Sequence, residues 1–146
     1  MDQDEEFMGL AMQEARKALT EGNYPAGTVI IKNGEIVGSG WSEVLSENDP
    51  TQHGEMIAIR NACRRLQSRF LTGCTLYTTV EPCLMCAQAL LYAKIGKVVY
   101  GAQHREYGVT ETFSILEQNG IGRRLQVRAG ILKDEADRLL KKYAQR

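Results

Sequence analysis

The chain has no excess of either charge: lysine plus arginine number 18, and so do aspartate plus glutamate. That balance supplies no global field to draw in nucleic acid or a membrane surface. No apolar run approaches the ~20 residues that a membrane-spanning helix needs. The opening residues, Met1-Asp2-Gln3-Asp4-Glu5-Glu6, are acidic, whereas a secretory signal begins basic and then turns apolar. A cytoplasmic protein without membrane association is expected. There is no internal repeat and no low-complexity tract. Four cysteines among 146 residues do not make a disulfide framework. Two of them, Cys83 and Cys86, stand as Cys-x-x-Cys, which in a cytosolic chain points to metal or redox work.

What is present has the proportions of one globular domain over residues 1–146, with 43% hydrophobic and 25% charged residues. Helical spacing of Phe7, Leu10, Ala11, Ala15, Ala18 and Leu19 predicts a helix over 4–21, closed by Gly22-Asn23. Residues 28–32 read as a strand buried on both faces. Asn33-Gly34 reads as a two-residue hairpin turn, and residues 35–41 as the antiparallel return. A polar loop is expected over 43–50. The second helix follows Thr51-Gln52, with Met56, Ile57, Ile59, Ala62, Cys63 and Leu66 inward and Arg60, Arg64, Arg65 and Arg69 outward. Residues 75–80 are a strand by composition. A third helix is expected to open at Pro82 and end at Gly96. A strand over 97–101, a shorter helix over 110–118 and a weak strand over 125–128 follow. The tail helix spans 132–143 with Tyr143 inward. Strand–helix–strand units close as right-handed parallel crossovers, and the early hairpin adds an antiparallel edge. The expected fold class is α/β: a three-layer α/β/α sandwich on a central five-stranded mixed sheet.

Two short stretches carry the chemistry, His53-Gly54-Glu55 and Glu81-Pro82-Cys83-Leu84-Met85-Cys86. Cys83 and Cys86, three apart at a helix start, turn both sulfurs to one side. The free amides and positive dipole end of that helix stabilise thiolates. His53, opening its own helix, can supply a third ligand. Three protein ligands leave tetrahedral zinc one open position, the catalytic arrangement, in which bound water ionises near neutral pH. Glu55 reaches the same pocket without ligating and suits proton transfer. Alone, Cys-x-x-Cys also fits a redox pair or half of a structural zinc site, with His104 or Cys74 as a further ligand. The upstream His-x-Glu and the proline before Cys83 weight the pattern toward catalysis. Cys63 and Cys74 read as core thiols. His104 follows a strand end, where α/β sites gather.

His53-x-Glu55 together with Pro82-Cys83-x-x-Cys86 resembles the cytidine/deoxycytidylate deaminase superfamily. The branch concerned holds tRNA adenosine deaminases, fungal-type cytosine deaminases and bacterial guanine deaminases. Residues 48–60 and 75–102 carry the resemblance, which runs from the first helix to the tail helix. It implies zinc on His53, Cys83 and Cys86, with Glu55 as proton shuttle. It implies hydrolytic loss of ammonia from an aminated ring, and a homodimer with neighbouring sites close to the interface. It also implies a substrate pocket lined by the Tyr24-Pro25-Ala26 loop and Gly54, with Ser42, His104 and Tyr107 as further substrate-facing positions. The amide of Cys83 would help hold the reacting oxygen.

Gly54 between the histidine and the glutamate is similar to the fungal-type cytosine enzymes. Asp49-Pro50-Thr51 and the run from Ile95 to Gly101 are more similar to the tRNA enzymes. Ser42 stands where relatives place a pocket asparagine, and its shorter hydroxyl cannot make the same two-point contact. Gln103-His104-Arg105-Glu106-Tyr107-Gly108 replaces the aspartate and Lys-Thr-Gly run usual in tRNA enzymes. The leading expectation is a small-molecule substrate, a cytosine-like free base or nucleoside: such an enzyme needs no phosphate-tracking surface, and zero net charge favours it. Nucleic acid is the alternative: adenosine in a tRNA loop, splayed into the pocket, with Arg123-Arg124, Arg128 and Lys141-Lys142 holding the backbone. Guanine or another aminated ring is a further alternative. A non-catalytic zinc fold would have no use for Glu55.

Overall fold

The structure is a computed structural model that describes residues 1–103, 111–122 and 124–146. In chain order its elements are α1 (Gln3–Thr20), β1 (Gly27–Lys32), β2 (Glu35–Trp41), α2 (Val44–Glu47), α3 (Gly54–Leu66), β3 (Thr75–Val80), α4 (Leu84–Tyr92), β4 (Lys97–Ala102), α5 (Thr112–Gln118), β5 (Gln126–Arg128) and α6 (Lys133–Ala144). Asn33 and Gly34 both take the left-handed conformation, with φ of 51° and 78°, so the turn matches the twist of the strands it joins. β1 pairs antiparallel with β2 and with β3. β3, β4 and β5 are mutually parallel, giving the order β2-β1-β3-β4-β5. The expected five-stranded mixed sheet with an antiparallel hairpin edge is present.

Strand alternation sorts the side chains into two layers. The register row Val29, Tyr77 and Val99 faces α1 and α6, where Met8, Met12 and Leu139 pack. The next row, Ile30, Leu76 and Val98, faces α3 and α4, where Ala58, Ala62 and Leu90 pack. Phe113 and Leu125 pack against the edge of this second cluster. The result is a three-layer α/β/α sandwich.

Local readings needed correction where tertiary contact outweighs pattern. On α1 the most deeply buried side chains include Met8 and Met12, with Phe7, Leu10 and Leu19 only packed against that cluster. On α3 the apolar side chains with no exposure are Ala58 and Ala62; Ile59, Cys63 and Leu66 pack against the second cluster as expected but stay half-buried, as do Met56 and Ile57. Small residues occupy the stripe because α3 lies directly on the glycines of β2. Within the polar stretch 43–50 the chain forms one helical turn, α2. α4 begins at Leu84, after Cys83 and two residues later than a start at Pro82. It ends at Tyr92: Lys94 turns left-handed (φ 64°), and Ile95 N–H returns to Leu90 O at 3.1 Å. That reverse turn, rather than Gly96, stops the helix.

Candidate active site

Two helix N-termini meet at one end of the sheet. His53 is the extended residue that precedes α3, and Cys83 the extended residue that precedes α4. α4 follows directly from β3, whereas α3 arrives from the edge strand β2 through residues 42–53. Both helices therefore aim unpaired amides and a positive dipole end at the same place. Glu55 and Cys86 follow in their first turns.

His53 Nδ1 lies 3.6 Å from Cys83 Sγ and 3.4 Å from Cys86 Sγ. The three donor atoms all lie within 4.8 Å of one another, the metal-capable group found among the described residues. A tetrahedral zinc with bonds of ~2.3 Å to sulfur and ~2.0 Å to nitrogen separates those atoms by about 3.5 Å. The donor set and its spacing both fit zinc. Cys74, offered above as an alternative ligand, is buried in the second core cluster, and burial pushes its thiol up.

Cys83 and Cys86 share charge unequally. The Cys86 side chain and His53 lower Cys83 to about 4, against the opposing effect of burial. The same contact with Cys83, burial and the nearby Glu55 charge push Cys86 up. Glu55 is 5% exposed. Burial raises its carboxyl to about 7, His53 opposes the rise, and Cys83 adds to it. A buried carboxyl beside the metal donors is placed to hold or release a proton.

A cavity of about 110 Å³ opens onto these groups. Ser42, Gly54, Glu55, His53 and Cys83 all line it. Pro25 does not: its neighbours Tyr24 and Ala26 make the wall while Pro25 is buried between them. His104 and Tyr107 lie outside the described residues. The Cβ that Gly54 lacks would sit 3.2 Å from both Gly40 O and Thr28 Oγ1, so an alanine there would press on β1 and β2.

Residues 1–102 match the family model for the cytidine and deoxycytidylate deaminase zinc-binding region. The chain belongs to this family. It is a deaminase, a hydrolase of C–N bonds. It is 40% identical over 140 residues to a tRNA-specific adenosine deaminase of Aquifex aeolicus, covering 95% of this chain and 92% of that one. A solved structure from a study of A-to-I editing by tRNA:A34 deaminases at the wobble position of transfer RNA is 34% identical. It superposes with a TM-score of 0.84 over 92% of this chain and 99% of that one. The guanine deaminase of Bacillus subtilis is 41% identical at a TM-score of 0.67, over 71% of this chain and 66% of that one.

Five wall residues of the deaminase cavity escaped the sequence reading: Val44, Leu45, Val80, Glu81 and Tyr143. Glu81 was legible in principle, as a carboxylate ending an apolar strand. It is 2% exposed, and its Oε1 accepts the Glu111 N–H at 3.0 Å. Tyr143 had looked like a core residue of the tail helix. It stands instead at the cavity, edge-on to Tyr24 at 5.4 Å between ring centres, with the Arg146 guanidinium 3.7 Å above its ring. Arg128, nominated for RNA, is committed elsewhere: it bonds Asp4 at 2.7 Å and Asp2 at 3.1 Å.

Proposed function

We propose that this deaminase converts adenosine to inosine in the anticodon loop of a tRNA. The observation that carries the reading is the similarity to a tRNA-specific adenosine deaminase over nearly the full length of both chains, and it replaces a cytosine-like free base as the leading reading. A neutral net charge leaves room for it, because local cations suffice. A groove of about 670 Å³ along α6 carries Arg138 and Lys141, with Asp134 and Asp137 also on its wall and Asp137 paired to Lys133 at 2.6 Å, and shares Tyr24 and Tyr143 with the catalytic cavity. Such a surface suits a backbone and the bases that flank a splayed-out target.

His53, Cys83 and Cys86 would hold zinc, which when bound supplies the Lewis acidity that makes water a nucleophile near neutral pH. Glu55 takes one proton from the attacking water at its carboxylate and gives it to the ring nitrogen, then takes the second from the oxygen now on the ring carbon and gives it to the departing amine. The water oxygen ends on the ring carbon, the C–N bond breaks, and ammonia leaves. Ser42, Gly54 and the Tyr24–Ala26 wall position the ring. The protein works in the cytoplasm as a homodimer. Leu84, Met85 and Tyr92, exposed on α4 at 40%, 38% and 76%, give a second copy an apolar surface to cover.

The likeness to the guanine deaminase supports a second reading, a free purine base. The deciding assay offers zinc-loaded protein an anticodon stem-loop RNA carrying adenosine at the wobble position, the same RNA carrying cytidine there, and free guanine and cytosine. Inosine in the first RNA is the expected product. Turnover of free guanine with none on RNA transfers the assignment to the second reading.

A further inference from the structure

The helix α2 is four residues long, too short to hold itself together in water. The residue before it, Glu43, makes no side-chain cap bond, so the first-turn amides must find partners elsewhere. One partner comes from a segment remote in sequence. Ser46 N–H donates to Asn23 Oδ1 at 3.1 Å, and Asn23 Nδ2 donates to Ser46 Oγ at 3.0 Å. Asn23 is completely buried. Its own N–H donates to Ala18 O at 2.8 Å, which ties it to the end of α1. One amide side chain therefore does for α2 what a helix cap does for a longer helix.

The position of this clamp relative to the cavity gives it a role in substrate choice. Val44 and Leu45, just ahead of Ser46, form one wall, and Tyr24 and Ala26, just after Asn23, form another. Leu45 is 54% exposed, and α2 contains no buried residue, so packing does not hold that wall. Ser42 N–H to Ala26 O at 3.0 Å and Glu43 N–H to Gln52 O at 2.9 Å fasten the stretch ahead of α2, and the turn closes on itself through Glu47 N–H to Glu43 O at 2.9 Å and Asp49 N–H to Val44 O at 3.1 Å; the side chain that ties the turn to the end of α1 is Asn23. We infer that Asn23 is a specificity-determining positioning residue, fixing Val44 and Leu45 against the cavity and so setting which aminated ring is admitted. This rests on the reading of the cavity as the place where substrate binds.

The test compares wild type, Asn23→Leu and Ser46→Ala, all zinc-loaded. Leucine fills the space but can make neither bond. Ser46 is exposed, so its alanine variant folds while losing one bond of the two. Amide hydrogen exchange should quicken over 44–47 and stay unchanged over 75–80. With the adenosine stem-loop RNA, KM should rise about fivefold for Asn23→Leu, the size of one lost cap, with kcat unchanged. The smaller rise for Ser46→Ala carries the test should the leucine variant not fold. The preference for adenosine over cytidine in that RNA should fall. Wild-type exchange over 44–47, or a lowered kcat at unchanged KM, overturns the inference. A wild type inactive on both RNAs overturns the proposed substrate instead. The same KM comparison is then made on whichever aminated base the wild type turns over, and an unchanged KM there overturns the role of Asn23.

Discussion

Gly38 of β2 and Ala58 of α3 approach so closely that a methyl group on Gly38 would lie 2.4 Å from the Ala58 carbonyl oxygen. It would also lie 2.8 Å from Ala62 Cβ. The contact is helix backbone against strand, with no flexible side chain to yield. It sets the height of α3 above the sheet, and α3 carries Glu55 with His53 at its entrance. Gly38→Ala should therefore cost about 2–3 kcal/mol through overpacking and also weaken zinc binding. Gly9, in α1, has nothing within 4 Å of the corresponding position. Gly9→Ala should stabilise by about 0.5–1 kcal/mol. Urea unfolding of the two variants checks the contrast, and equal effects would contradict it.

Separating metal binding from proton transfer needs two substitutions in the same cavity. Cys83→Ala removes one of three donors and should lose zinc, with a lowered Tm, because metal binding free energy contributes to folding. Glu55→Gln keeps the donors and removes a costly buried charge. It should retain zinc at wild-type stoichiometry, unfold no sooner, and lose activity by about 10²–10⁴-fold. Metal content by mass spectrometry alongside turnover distinguishes the two. Loss of zinc from the glutamine variant would make Glu55 a ligand and refute the assignment.

Acid sensitivity should originate far from the site, at the start of α1. Burial alone would raise the Asp4 carboxyl. The Tyr77 hydroxyl at 2.7 Å, Arg128 and Lys97 more than offset that and hold it below its ordinary value of 3.8. A carboxyl with a depressed folded-state pKa stabilises the fold above its unfolded value, and the contribution disappears as pH falls through the folded value. Tyr77→Phe should lower stability near neutrality by about 1.5–3 kcal/mol, the worth of a hydrogen bond to a charge. Its deficit should shrink below pH ~4. Denaturation at pH 7 and pH 3 measures both; a deficit that widens on acidification would contradict the assignment.

Tyr143 offers a flat face where the α6 groove meets the catalytic cavity. Tyr143→Ala should raise KM for the stem-loop RNA about tenfold, in line with one lost base–aromatic stack, while zinc content stays unchanged. Tyr143→Phe keeps the ring and should behave as wild type. Equal losses in the two variants would point to the hydroxyl and not to stacking.

The parts of this protein that were readable along the chain are those governed by neighbours. Asn33-Gly34 declares its hairpin because both residues tolerate positive φ. β1 declares itself through a nearly all-apolar run, and β3 through its β-branched and aromatic residues. The candidate metal-holding group was readable as two helix-opening motifs because spacing within one turn decides which way Cys83 and Cys86 point. The zinc-deaminase resemblance followed from those same few residues.

What the chain alone did not reveal depends on encounters between distant segments. Ala58 joins Ala62 at the buried centre of α3 only because Gly38 and Gly40 let the helix descend onto β2. Tyr143 faces the cavity only because α6 returns across the sheet to meet Tyr24. Asn23 read as a helix terminator and turned out to cap a turn 23 residues away. Local dihedral preference and short spacing act over a few residues, so they are written in order along the sequence. Close packing is a collective fit among surfaces brought together by the whole fold, and no single stretch of residues encodes it.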